Sequence, residues 1–392
     1  MTARDGSGER DGSGARDGSG ARDRSHGAGR LHGRTAAGLG LLLLAAASVL
    51  AALLLPAGAA AASGSSASSP STTPVPGAGS PTPQPAVPVE HVKMLLGGVG
   101  GHPLFAPVGN TIVIYGRITP YQPGQRTTVA LYLGSRKVGA KVLRVVPRSG
   151  GSGSFQVHFT TRQAGSMTAR VAVHVAAGVV ATGQTPAVQF VHTEVSPGTS
   201  STSVRVLQSE LNRLHYAVPL NGVFEEGTER ALIAFRKVTN MARVGLAERA
   251  VFHKLAHGEG SFHVRYPRHG HHVEANLTKQ VLAEIEPGGK VRNIYTMSSG
   301  KPSTPTVVGN FQVYMKSFGV NEKGMVDSNY FIRGYAIHGY AEVPTYAASH
   351  GCLRVPIPDA PSIYAWVQVG TPVDVYHQGG GGSTNPRSNA GP

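Results

Sequence analysis

The spacing of apolar residues changes twice along this chain, and each change limits what the segment can become. Between 111 and 175 the period is two. Phe155, Val157 and Phe159 alternate with Gln156 and His158, and Val171, Val173 and Val175 alternate with Ala172 and His174. Such alternation turns one face of a strand inward and the other outward. The runs 111–118, 127–133, 155–159 and 169–175, punctuated by turns at 121–124 and 149–153, predict a β-sandwich over 90–196. From 203 to 257 the period becomes helical: Val204, Leu207, Leu211 and Leu214 share one face, Ala231, Leu232 and Phe235 a second, Val251 and Leu255 a third. Asn221-Gly222 separates the first two as a turn. From 260 to 377 strand spacing returns in Val273–Leu277, Gln280–Glu286, Val291–Met297, Phe311–Met315, Tyr335–Ile337 and Gly370–Tyr376. A short helix with Ile363, Tyr364 and Trp366 interrupts it, and Asp359 is positioned to cap that helix. The expectation is a multi-domain, mainly β chain with a small three-helix bundle in the middle.

The first 34 residues cannot join any of these cores. Arg-Asp-Gly-Ser-Gly recurs from Arg4, Arg10 and Arg16 with almost no apolar residue, so 1–34 is expected to be a disordered tail. Ala36 to Leu55 is then continuously apolar or small, about the 20 residues that a spanning helix needs. Arg30 and Arg34 precede it and no Lys or Arg follows until Lys93. That asymmetry puts the N-terminus in the cytoplasm and everything after it outside. Segment 35–62 is therefore read as a signal-anchor or signal peptide; Ala57-Gly58-Ala59 leaves cleavage open. Residues 63–89 form a Pro/Ser/Thr linker, and 378–392 a Gly-rich tail.

The formal net charge is +15. That excess suits nucleic acid, an anionic membrane or an anionic wall polymer. No nucleic-acid reading motif is present and the export segment removes most access to DNA, so the wall polymer comes first, with a solvated basic surface as the bland alternative and no nucleic acid expected as partner. His269, His271 and His272 lack a carboxylate at a telling spacing and are read as a polar loop, with no metal.

The chemistry converges on 337–354. Cys352 is the only cysteine, which excludes an internal disulfide and a Cys-based zinc cluster and leaves a free thiol in an exported protein. His350 stands two residues before it and His338 further upstream. A thiol attacks a carbonyl only as thiolate, so it needs a base. His338 follows the apolar run Tyr335–Ile337, a predicted strand that would hold its ring rigidly, and it is preferred as base over His350. Its other nitrogen then needs an acceptor, for which the Gly339 carbonyl would serve. Gly351 is expected to let the backbone pass close to substrate, and the Gly351 and Cys352 amides to face a developing oxyanion. The segment Tyr340–Ala348 between the histidines is expected to decide what enters. The bland alternative is a small buried cysteine among ordinary histidines.

Three resemblances add to this. The 90–196 segment is similar to bacterial immunoglobulin-like modules, with a spacer role. Val204-Arg-Val-Leu-Gln208, Asn221-Gly-Val-Phe224, Thr228 and Ala231-Leu-Ile-Ala-Phe235 resemble the peptidoglycan-binding domain 1 family. His338-Gly339 with Ser349-His350-Gly351-Cys352-Leu353-Arg354, preceded by Ser298-Ser-Gly-Lys301, Thr304-Pro305 and Gly309-Asn310-Phe311, resembles the L,D-transpeptidase (YkuD) catalytic domain. The resemblance implies a cysteine acyltransferase that forms 3→3 peptidoglycan cross-links through a thioester, releasing D-alanine from a tetrapeptide stem. Cys352 would be the nucleophile and His338 the base, with Gly339, Ser349, His350 and Gly351 shaping the site. Tyr340 and Arg354 are candidate substrate contacts, although Arg354 suits a structural ion pair equally. Implied partners are stem peptides, glycan, carbapenem-type inhibitors and the membrane at the N-terminal segment, at the outer face of the cytoplasmic membrane or in the wall. No cofactor is implied. A non-catalytic wall-binding scaffold, and a carboxypeptidase or other amine acyltransferase using the same thioester, stay open.

Overall fold

The computed structural model describes residues 91–175 and 178–379. The repeats, the apolar run 36–55, the linker and the C-terminal tail lie outside the described residues, and with them the readings made there. Among the described residues no helix is long and apolar enough to cross a membrane.

Ten strands come first: β1 (His91–Gly97), β2 (Phe105–Pro107), β3 (Thr111–Thr119), β4 (Arg126–Leu133), β5 (Arg136–Arg144), β6 (Val146–Arg148), β7 (Ser152–Thr160), β8 (Gly165–Val175), β9 (Gly178–Gln184) and β10 (Val188–Val191). One sheet runs β1-β3-β7-β6; the other runs β2-β10-β8-β4-β5, with β9 also paired to β8. The alternating residues Ile112, Ile114, Val129, Leu131, Phe155, Val157, Val171 and Val173 are all buried in one core between the sheets.

Three helices follow, α1 (Thr202–Arg213), α2 (Glu226–Val238) and α3 (Arg249–Ala256). Ser201 caps α1 by accepting from the Val204 amide. The link from α1 to α2 is ordered by one side chain, Gln208, which is fully buried. Its amide donates to Asn221 Oδ1, the Val223 carbonyl and Thr228 Oγ1, and its oxygen accepts from the Gly222 amide. Gly222 has φ +78°, a left-handed conformation that favours glycine there.

The remaining elements are β11 (His272–Asn276), β12 (Val281–Glu286), β13 (Lys290–Thr296), β14 (Gly309–Gln312), β15 (Met315–Val320), β16 (Val326–Ile332), β17 (Tyr335–Tyr340), β18 (Leu353–Pro356), α4 (Ala360–Trp366) and β19 (Pro372–Tyr376). They form a five-stranded sheet, β13-β12-β11-β19-β14, and a four-stranded sheet, β15-β16-β17-β18. Leu282, Tyr295, Phe331, Ile337, Leu353 and Val373 join the two sheets in one core.

The opposite face of the five-stranded sheet is also covered. Val281, Ala283, Ile285 and Ile294 share a core with Leu207, Leu211, Leu232, Phe235, Phe252 and Leu255 of the helices. This explains why β12 is buried at all but its last position; β11 is buried at every position, with Val273 and Ala275 in the core between the sheets and Glu274 bonded to the Arg265 and Tyr266 amides and the Tyr376 hydroxyl. The helical segment and the sheet are thus built on common apolar ground, and polar ties reinforce the join. Lys237 of α2 is 1% exposed, and its ammonium donates to the Gln280 carbonyl (3.0 Å), Thr296 Oγ1 (2.7 Å) and the Met297 carbonyl (2.8 Å). Burial, and then the charge of Arg243, bring its pKa down to about 7. The first ten strands join the same core through Phe105, whose ring meets Phe252 edge-on at 6.2 Å.

Two local expectations need correction. Asp359 occupies the N-cap position of α4, but its side chain makes no capping bond. A 3-10 turn over Ile357–Asp359 gives it helical rather than extended backbone, and its carboxylate pairs with Arg230 of α2 at 3.2 and 3.3 Å. The histidine group is not a polar loop throughout. His272 begins β11 fully buried, 3.4 Å from Glu274; His269 bonds Asp374 at 2.9 Å; His271 stacks on Trp366 at 3.8 Å.

A shared core makes a testable demand. Leu232→Ala, on the buried face of α2, should cost about 3 kcal/mol. The loss should appear in the fluorescence of Trp366, the only tryptophan, which packs on the far face of the five-stranded sheet. Two separate unfolding transitions, with the Trp366 signal unmoved, would contradict the common core.

Candidate active site

β17 and β18 are parallel neighbours, with Ile337 opposite Leu353 and His338 opposite Arg354. One step earlier, Cys352 falls opposite Ala336. Side chains two apart on a strand share a face, so Cys352, Arg354 and His338 open on one side. All three line a cavity of about 670 Å³. The thiol is half-buried, with Sγ 3.8 Å from the Gly334 carbonyl. Among the described residues no hydrogen bond links it to the His338 ring.

His338 is 2% exposed, and its Nδ1 lies 2.9 Å from the Gly339 carbonyl. A carbonyl only accepts, so Nδ1 carries the proton and Nε2 keeps its lone pair. Burial pushes the imidazole pKa down to about 4; the Gly339 carbonyl opposes that and the Arg354 charge adds to it. Burial also pushes the Cys352 thiol up, against a lowering by the Ala336 backbone and the charges of Arg354 and Lys323. Near neutral pH both groups rest uncharged, a thiol beside a free base rather than a thiolate–imidazolium pair. Gly339 is needed for packing: a Cβ would come within 2.8 Å of the Ala360 Cβ, where α4 closes on β17.

The turn before Cys352 is built by Ser349. Its buried hydroxyl donates to the Cys352 carbonyl at 2.6 Å and accepts from the Gly351 amide at 3.1 Å. The Gly351 amide is therefore committed inside the turn and does not point at an oxyanion. The glycine itself has φ +121°, and a Cβ there would fall 1.8 Å from the Tyr335 ring. The close approach that demands glycine is to Tyr335, within the protein. His350 is exposed, and its Nε2 accepts from the Lys301 ammonium at 3.3 Å.

A strap from 298 to 306 holds this turn in place. Ser298 and Arg354 exchange backbone bonds at 2.9 Å in both directions, and the Ser349 carbonyl accepts from the Lys301 amide at 2.9 Å. Thr306 Oγ1 accepts from the Gly300 amide and donates to the Gly351 carbonyl, both at 2.8 Å. Thr304 Oγ1 reaches the Ser349 carbonyl at 3.2 Å. The Ser-Ser-Gly-Lys and Thr-Pro stretches thus act on the thiol through the backbone that carries it.

Tyr340 and Arg354 meet at the cavity wall. The guanidinium lies over the Tyr340 ring at 4.0 Å, and that ring stands edge-on to His338 at 5.7 Å. Among the described residues Arg354 has no carboxylate partner, so it is not spent in a structural ion pair. Of the segment Tyr340–Ala348, only Tyr340 lines the cavity. Arg243 donates to the Thr345 carbonyl, and Ser298 Oγ donates to the Tyr346 carbonyl at 2.6 Å, which tie it down elsewhere. The cover is instead the β15–β16 loop with Asn321, Glu322, Lys323 and Met325, joined by Arg333-Gly334 of the β16–β17 turn. Asn321 shapes that loop, its Oδ1 accepting from the Lys323 and Met325 amides at 3.0 Å. No local pattern marked these residues as part of the site. The turn-like Asn321-Glu-Lys-Gly324 between two strands was the one available sign. Among the described residues no group of three or more His, Cys, Asp or Glu side chains is arranged to hold a metal.

Since burial raises the thiol pKa, alkylation of Cys352 by iodoacetamide should keep accelerating through pH 9 with no plateau near neutrality. Arg354→Met removes a charge that favours the thiolate, so it should slow the reaction several-fold at pH 8. A plateau below pH 7 in the wild type would mean that the ion pair is already formed.

The chain is similar to known proteins over its C-terminal part. Among solved structures, an L,D-transpeptidase from Xylanimonas cellulosilytica is 30% identical and matches 47% of this chain and 98% of its own, with a TM-score of 0.45. One from Stackebrandtia nassauensis is 21% identical over 47% and 95%, with a TM-score of 0.31. L,D-transpeptidase 3 from Mycobacterium tuberculosis in complex with a faropenem-derived adduct is 19% identical over 27% and 60%, with a TM-score of 0.25. No curated protein matches the chain. Residues 270–375 match the family described as the L,D-transpeptidase catalytic domain (YkuD), and it is this domain that the chain carries there.

Proposed function

We propose that the chain is an exported L,D-transpeptidase that forms 3→3 peptidoglycan cross-links through a Cys352 thioester. The observation that carries the reading is the shared cavity of Cys352 and His338, with the His338 Nε2 unprotonated and its Nδ1 fixed on the Gly339 carbonyl. The thiol proton leaves its weak contact with the Gly334 carbonyl and passes to Nε2 as Sγ attacks the carbonyl of the third stem residue. Gly351 is engaged by Ser349, so of the two amides the Cys352 N–H is the one left for the oxyanion. Collapse breaks the peptide bond to the terminal D-alanine, whose amine takes the proton back from His338. A side-chain amine of a diamino acid on a second stem then attacks the thioester, gives a proton to His338 and frees the thiol. Atoms balance with no cofactor, and the imidazole alternates between base and acid.

In this proposal the helical segment 202–256 grips the wall polymer, the first ten strands act as a spacer, and residues 36–55 export or anchor the protein at the outer face of the cytoplasmic membrane. Carbapenem-type compounds should acylate the same thiol, because their strained carbonyl offers it an electrophile.

Intact mass after incubation with a carbapenem should show one adduct on the wild type and none on Cys352→Ala. With a tetrapeptide donor, His338→Ala should lower kcat/KM by about 10²–10⁴-fold. The acid limb of the wild-type profile should report a group near pH 4, below which the base is protonated and activity is lost. An inflection between pH 6 and 7 would remove His338 from the role of neutral base. Sacculus binding without an adduct or D-alanine release would favour the scaffold, and free tripeptide without cross-linked product a hydrolase.

A further inference from the structure

Three cations face the reaction cavity from three different elements: Lys323 on the β15–β16 loop, Arg333 on the β16–β17 turn and Arg354 on β18. Among the described residues none of the three is paired with a carboxylate. The Arg354 guanidinium carbon lies over the Tyr340 ring at 4.0 Å, and among the described residues the guanidinium N–H groups have no acceptor, which leaves them for a ligand. Lys323 takes only backbone bonds, through its amide to Asn321, and its ammonium has no acceptor. Arg333 likewise uses only its carbonyl, which accepts from the Tyr314 hydroxyl. The single acid on the cavity wall is Glu322, itself without an ion pair. Lys301 nearby is different, because its ammonium is spent on His350. The cavity therefore has a surplus of positive charge that the protein does not neutralise, and the charges of Lys323 and Arg354 both reach the thiol.

We propose that this cavity selects acyl donors whose side carboxyl groups are free over donors in which they are carboxamides, with Lys323 and Arg333 as the specificity-determining residues beside Arg354. The proposal rests on the stem-peptide reading above and deepens it. A carboxylate and a carboxamide are nearly equal in size, so shape cannot separate them. Charge can: a carboxylate accepts both arms of a guanidinium fork, while a carboxamide presents one oxygen and an NH₂ that meets the cation with its own hydrogens. A stem peptide in its unmodified form carries several such groups, which matches cations spread over three sides of the cavity better than one cation would.

The test uses the full-length Cys352→Ala protein, which binds donors without reacting. Two synthetic tetrapeptides of one sequence, one with free side carboxyl groups and one amidated at the second and third residues, are titrated by calorimetry. The free acid should bind about tenfold more tightly at low salt, equivalent to about 1.4 kcal/mol. The ratio should fall toward one in 0.5 M salt and when Lys323→Gln or Arg333→Gln is added. Both residues are exposed, so circular dichroism should show folding unchanged. Equal affinity, tighter binding of the amidated peptide, or a preference that survives both substitutions overturns the proposal. In parallel, the wild type is incubated with both peptides and weighed. Absence of a thioester with either would sink the transpeptidase reading, while the affinity ratio judges the selectivity separately.

Discussion

The site depends on the parallel pairing of β17 with β18. These strands are brought together by a connection that carries the Ser349 turn, and their register sets His338 beside Arg354 with Cys352 on the same face. A slip of one residue would turn the thiol to the opposite face of the sheet. The structure guards against this from outside the pair. The strap from Ser298 to Thr306 bonds the backbone on both sides of Cys352, at Ser349, Gly351 and Arg354. Reactive groups are thus positioned by amide and carbonyl contacts, which leaves their side chains free for chemistry.

The electrostatic state of the site follows from the same arrangement. Pressing His338 into the strand pair dries its ring, and drying disfavours the imidazolium. The thiol is dried as well, so neither group can ionise alone at low cost. In the proposed reaction, proton transfer between them is then tied to the arrival of an electrophile. A resting thiol of this kind is slower to oxidise than a standing thiolate.

What could be read from residue order was whatever is local. The alternation at Phe155–Phe159 and Val171–Val175 shows strands because one face is buried, and the helical spacing of Val204, Leu207 and Leu211 shows α1 for the same reason. Cys352 and His338 stood out because chemistry requires rare residue types close together. Contacts made between distant segments were not legible. Lys237 reads as a surface lysine until the Gln280 and Met297 carbonyls are placed around it. Asp359 reads as a helix cap until Arg230, far away in the chain, claims it. The loop Asn321–Met325 carries no motif, and only the pairing of β15 with β16 swings it over the thiol. Gly351 was read as a close approach to substrate; the approach in the structure is to the Tyr335 ring, which no spacing reveals.

The common core beneath α2 and the five-stranded sheet has a mechanical meaning. Two modules joined by a string sample many separations, and the string sets their reach. Here the strut is packed side chains with the Lys237 ammonium as a bolt, and the stretch from 257 to 262 is part of it, with Phe262 in the common core and the Gly260 carbonyl accepting from the Tyr216 hydroxyl. Any strand of polymer seated on the helices would stand at one set spacing from Cys352, like stock clamped in a jig. Only loosening that core would let the gauge drift.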